Sequence, residues 1–90
     1  MPVVMIGEVA DLTEDVYAGM LPQLQPIMQK YQGFIAHSGG PHPDGGWRVI
    51  EFWETEDDGR RWFEEHVAPN LPPGITPNRQ YYPAHAAFGK

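Results

Sequence analysis

Three side chains carry proton chemistry at positions where the chain also buries apolar surface: His37, Glu51 and His66. His37 closes the run Phe34-Ile35-Ala36-His37, and Glu51 alternates with Trp47, Val49 and Trp53. His66 follows Trp62 and Phe63 at helical spacing. Imidazole changes charge near neutral pH, so a histidine facing a cavity can polarise a carbonyl or take a proton from an acidic C–H. A carboxylate among large apolar residues must face water, pair with a base, or sit in a cavity with a raised pKa. His37, His66 and Glu51 are therefore the candidate catalytic groups. Tyr31, Trp53, Trp62 and Phe63 are candidates to hold a flat hydrophobic ligand. Tyr17 and Trp47 join the same pool of pocket or core aromatics, with Tyr31 or Glu51 assisting the base.

Other chemistries are excluded or have no support. Cysteine is absent, which removes disulfides and thiolates. His37 and His42 are separated by a Gly-Gly-Pro segment with no partner at metal-ligand spacing, so no metal site is expected. Glycine-rich phosphate loops and serine-nucleophile motifs are lacking. The net charge is −6 with only six Lys and Arg, which excludes a nucleic-acid surface and an anionic membrane surface. No basic leader precedes the acidic Glu8 and Asp11, and no apolar run has transmembrane length. A cytoplasmic location is expected. His42, between two prolines, reads as solvated, and His85 as an interface residue.

These groups need elements to hold them. Residues 2–10 read as a strand with Val3, Met5, Gly7 and Val9 on one face. Thr13 caps a helix whose apolar stripe runs through Val16, Met20, Leu24, Ile27, Met28 and Tyr31. Pro22 and Pro26 predict a kink or break near Leu21, and Gln32-Gly33 ends the helix. Residues 34–38 form a second strand, 39–46 a hairpin loop, and 47–53 a third strand. Thr55 caps a second helix, buried through Gly59, Trp62, Phe63, His66 and Val67 and stopped by Pro69. Residues 80–88 form a last strand, placed at an edge by Pro83.

The order βαββαβ predicts an α+β, ferredoxin-like fold over residues 1–90 as a single domain: a four-stranded antiparallel sheet with two helices on one face. The other sheet face would be left open, and a homodimer would cover it.

The segments Gly33-Phe34-Ile35-Ala36-His37, Trp53-Glu54-Thr55 and Tyr82-Pro83-Ala84-His85 resemble those of the dimeric α+β barrel superfamily, and within it the antibiotic biosynthesis monooxygenase-like proteins. The resemblance spans nearly the whole chain. It implies a cofactor-independent enzyme acting on a hydrophobic aromatic or polyketide-like small molecule. The expected reaction is monooxygenation begun by proton abstraction, because a stabilised carbanion can itself react with dioxygen. An isomerase or cyclase sharing that first step is the alternative, and a non-catalytic small-molecule-binding dimer is another. The resemblance gives Trp62 a substrate-contacting place. It does not extend to the haem-degrading branch: Gly7 stands where that branch has Asn, and His66 comes too early for its haem ligand. No cofactor is expected.

Overall fold

In a computed structural model, residues 1–88 are described. The strands β1 (Val3–Val9), β2 (Phe34–Pro41), β3 (Trp47–Trp53) and β4 (Asn78–Pro83) form one antiparallel sheet in the order β2-β3-β1-β4. Two helices, α1 (Glu14–Gln29) and α2 (Glu56–Trp62), cover one face, as the ferredoxin-like order predicts. β4 is an edge strand, so Pro83 costs the sheet interior no donor.

Period-two alternation sends Val3, Met5, Gly7 and Val9 of β1 and Trp47, Val49, Glu51 and Trp53 of β3 to the helix side. Two apolar clusters form there. Val9, Leu12 and Trp47 pack with Val16 and Tyr17 at one end. Met28, Trp53 and Trp62 pack with Leu24, Tyr31 and Phe34 at the other. The opposite face carries Val4, Ile6, Ile50, Phe52 and Tyr82, none of them buried.

Several boundaries differ from the sequence reading, each for a local reason. α1 runs unbroken through Pro22 and Pro26. These prolines are four residues apart on the exposed side, so the carbonyls they leave without donors face water. The helix is capped as expected, with Thr13 Oγ1 accepting from the Val16 amide at 3.3 Å. Its inward stripe keeps Val16, Met20, Leu24, Met28 and Tyr31, but Ile27 is 44% exposed, while Tyr17 and Leu21 also face inward. β2 extends to Pro41, and β4 begins at Asn78 and stops at Pro83, so His85 lies beyond the strand. His42 is not solvated. Its Nε2 donates to Glu8 at 2.9 Å and its Nδ1 accepts from the Asp44 amide at 3.0 Å.

Two irregularities decide which side chains meet between the helices and the sheet. A bulge at Ile35 shifts the β2–β3 register, pairing Phe34 with Trp53 and His37 with Glu51. Phe34 and His37 thereby share the helix-side face, which strict alternation would forbid. After Trp62, α2 widens into a π turn (Phe63–Val67) and then a 3-10 turn (Ala68–Asn70) containing Pro69.

Gly59 is where α2 meets the sheet. A Cβ there would lie 2.9 Å from Trp53 Cδ1 and 3.0 Å from Tyr81 Cε2. Gly59→Ala should therefore lower stability by about 1–3 kcal/mol through overpacking, despite alanine's better helix propensity. Urea denaturation checks this, and an unchanged midpoint would show that the helix can lift away freely.

Candidate active site

Between α1, the π turn and the sheet lies a cavity of about 380 Å³. Its walls are mostly apolar: Leu24 and Met28 come from α1, Val49 from β3, Val67 from the π turn and Leu12 from the β1–α1 connection. One end is polar. There β2 and β3 set His37 opposite Glu51, and the His37 Nδ1 to Glu51 Oε2 distance is 3.0 Å.

Glu51 is 3% exposed, and every side of it is answered. Trp53 Nε1 donates to Oε1 at 3.0 Å, and an Arg79 guanidinium nitrogen stands 3.5 Å from the same oxygen. Burial pushes the Glu51 carboxyl up. The hydrogen bond from His37, the charge of Arg79, the charge His37 carries when protonated and the Trp53 indole together outweigh it, and the pKa falls below its ordinary 4.5. Arg79 reaches Glu51 from β4 across β1, passing over Gly7. The guanidinium is stacked 4.4 Å from the Phe63 ring centroid and donates to Tyr81 Oη at 2.9 Å.

An ionised Glu51 is an acceptor only, so Nδ1 of His37 carries the proton. When the ring is neutral its Nε2 is then an acceptor, with Tyr17 Oη placed to donate to it at 2.5 Å. Tyr17 comes from the first turn of α1, against Trp47 at 5.0 Å between ring centroids. Its hydroxyl occupies the space that a Cβ on Gly39 would fill. Burial first, and then the negative charge of Glu51, raises the Tyr17 phenol above its ordinary 10.0.

Of the candidates read from sequence, His37, Glu51, Trp62 and Phe63 line this cavity. Trp62 is 1% exposed, and its indole Nε1 is buried with no hydrogen-bond partner among the described residues. His66, Tyr31 and Trp53 do not line it. The π turn directs Phe63 and Val67 inward and leaves His66 half-buried outside, its ring 4.9 Å from that of Trp62. Tyr31, expected to assist the base, donates to Glu65 at 2.6 Å instead, and its phenol is pushed up to about 12 by burial and by that hydrogen bond. Trp53 lies behind the cavity wall as the donor to Glu51.

Arg79 escaped the sequence reading because it sits two strands from Glu51, and nothing in its local pattern signals the reach. Tyr17 was signalled weakly: Tyr17, Leu21, Leu24 and Met28 are themselves a helical stripe, one residue out of phase with the stripe that begins at Val16.

Haem does not fit these residues. His37 is the one imidazole in the cavity lining, and both its nitrogens are engaged by Tyr17 and Glu51. Among the described residues no three His, Asp or Glu side chains are grouped to hold a metal.

This arrangement is carried on the fold of the antibiotic biosynthesis monooxygenase-like proteins. A variant of SnoaB, a cofactor-independent oxygenase from Streptomyces nogalater, superposes with a TM-score of 0.67 at 15% identity, covering 94% of both chains. A proposed antibiotic biosynthesis monooxygenase from Nitrosomonas europaea gives 0.65 at 15% identity, over 98% of this chain and 94% of that one. A variant of MhuD with two manganese protoporphyrin IX molecules per active site gives 0.61 at 13% identity, over 98% and 99%. No protein-family model and no curated protein matches the sequence.

Glu51→Gln should cost about 2–3 kcal/mol at pH 7, because Arg79 loses its counter-charge and one of the two acceptor oxygens becomes an NH₂ donor facing another donor. The folded pKa of Glu51 is depressed, so the stabilisation is present in full above about pH 4.5 and is lost as pH falls through the lower folded value. The gap between wild type and Glu51→Gln should therefore narrow on acidification, as read by denaturant titration from pH 7 to pH 3. A constant gap would mean the ionised form carries none of the effect.

Proposed function

We propose that this single-domain chain is a cofactor-independent monooxygenase for a hydrophobic aromatic or polyketide-like small molecule. The observation that carries the reading is an apolar cavity whose one polar end holds a histidine hydrogen-bonded to an ionised, buried carboxylate. Such a pair accepts a proton and then stabilises the imidazolium it forms.

The substrate lies along the cavity with an acidic C–H or ring hydroxyl at the His37 end. Trp62 and Phe63 flank its ring. Removing the proton leaves an electron-rich carbanion that reduces dioxygen. A ring CH₂ and O₂ thereby become C=O and H₂O, so the protein has to bind, deprotonate and keep water out. The oxygen step is supported by the likeness in fold to SnoaB, and the proton step by the site itself.

A homodimer completes the molecule in this reading. The sheet face bearing Ile6, Ile50, Phe52 and Tyr82 is unpartnered in the monomer, and Tyr82 is 47% exposed there.

Turnover of dihydroxynaphthalenes and hydroxylated anthrones tests the function. His37→Ala should lower kcat by about 10²–10⁴-fold in oxygenated buffer, with His66→Ala near wild type. Turnover that persists without oxygen would replace the oxygenase by an isomerase or cyclase, and full activity in His37→Ala would remove the proposed base. For the dimer, Phe52→Lys should yield a monomer in sedimentation velocity. A wild-type protein that already sediments as a monomer would sink that part.

A further inference from the structure

We propose that the Tyr17 hydroxyl, and not His37, is the group that touches the substrate, so that protons reach His37 through Tyr17. The inference deepens the function proposed above and rests on it. Its basis is geometric: the one lone pair by which neutral His37 could act as a base is already filled by Tyr17 Oη–H at 2.5 Å.

The other nitrogen offers no way round. Nδ1–H is committed to Glu51, whose carboxylate is fixed in turn by Trp53 and Arg79. The imidazole is thus closed at both ends. Tyr17 is not: its single proton points to Nε2, which leaves the oxygen's lone pairs as acceptors on a residue that lines the cavity. The raised phenol pKa keeps that proton on Tyr17 at rest, and the unprotonated Nε2 of the Nδ1–H tautomer is what makes Tyr17 the donor. Gly39 makes the contact possible, since any side chain there would displace the Tyr17 hydroxyl.

The transfer balances as two coupled steps. The bond from the substrate's carbon or oxygen to its proton breaks, and that proton joins Tyr17 Oη. The original Tyr17 O–H bond breaks, and its proton joins His37 Nε2. The products are a substrate anion, a neutral Tyr17 and an imidazolium paired with ionised Glu51. Since no phenolate persists, the high pKa of Tyr17 is no obstacle. A substrate with a phenol or enol hydroxyl suits the site best, because its oxygen can hydrogen-bond Tyr17 Oη before the proton moves.

Two measurements test this, one of them independent of turnover. Two-bond proton–nitrogen NMR correlations on the resting protein should show His37 as the Nδ1–H tautomer, with its Nε2 shift changing in Tyr17→Phe. The Nε2–H tautomer would overturn the relay, because Tyr17 would then be accepting. The kinetic arm uses dihydroxynaphthalene. Tyr17→Phe, which keeps the ring against Trp47, should lose about 10²-fold or more in kcat with little change in KM. Combining it with His37→Ala should cost little beyond either change alone, as expected of groups acting in series. Fluorotyrosine at position 17 retains the hydroxyl and should restore turnover with a shifted pH profile. Tyr17→Phe at wild-type rate while His37→Ala is inactive would overturn the relay yet leave the proposed function standing. Wild-type rates in both variants would overturn the two together.

Discussion

The buried carboxylate of Glu51 is the constraint around which the rest of the structure is arranged. An ion at the centre of a small sheet costs several kcal/mol unless its lone pairs are answered. Here His37, Trp53 and Arg79 answer them from three strands, so the ion ties β2, β3 and β4 together. Removing the carboxylate would leave a guanidinium and two N–H donors unmatched in the same small volume. This is a reason for so polar a group to persist in a core otherwise made of Trp, Met, Val and Leu.

The same arrangement organises the cavity. Because Glu51 is ionised, a neutral His37 has one available tautomer, and to that tautomer Tyr17 is the donor. Direction therefore propagates from the middle of the sheet to the first turn of α1 through two hydrogen bonds. The remaining walls are mostly apolar and come largely from α1 and from the widened turn after α2, which sharpens the contrast between the polar end and the rest. In a low-dielectric space of this kind, charge formed on a ligand is felt strongly by the few polar groups present.

The π turn has a comparable effect at the far end. A regular helix would have kept His66 on the buried stripe with Trp62. The extra residue in the turn takes Val67 inward and moves His66 out against the Trp62 ring. Two histidines that look equivalent in sequence are thus separated, one into a closed network and one onto the rim. The handling of Pro22 and Pro26 is the opposite case. Their local rule predicts a break, yet both lie on the solvent side of α1, where water replaces the missing hydrogen bonds and the helix continues.

Short-range periodicity accounts for everything that was legible along the chain. The order of elements, the edge placement of β4, the Thr13 and Thr55 caps, and the alternation that puts Glu51 between Val49 and Trp53 all follow from neighbours a few residues apart. His37, Glu51, Trp62 and Phe63 were legible as candidates for that reason. The joining of these groups into one site came from folding. Tyr17 and His37 are 20 residues apart and His37 and Glu51 are 14, while Arg79 crosses a whole strand to complete the group. A bulge at Ile35, invisible to a two-residue period, turned His37 toward the helices. Contacts made across a sheet depend on strand order and register, and no local pattern along the chain encodes which distant side chains a register will bring face to face.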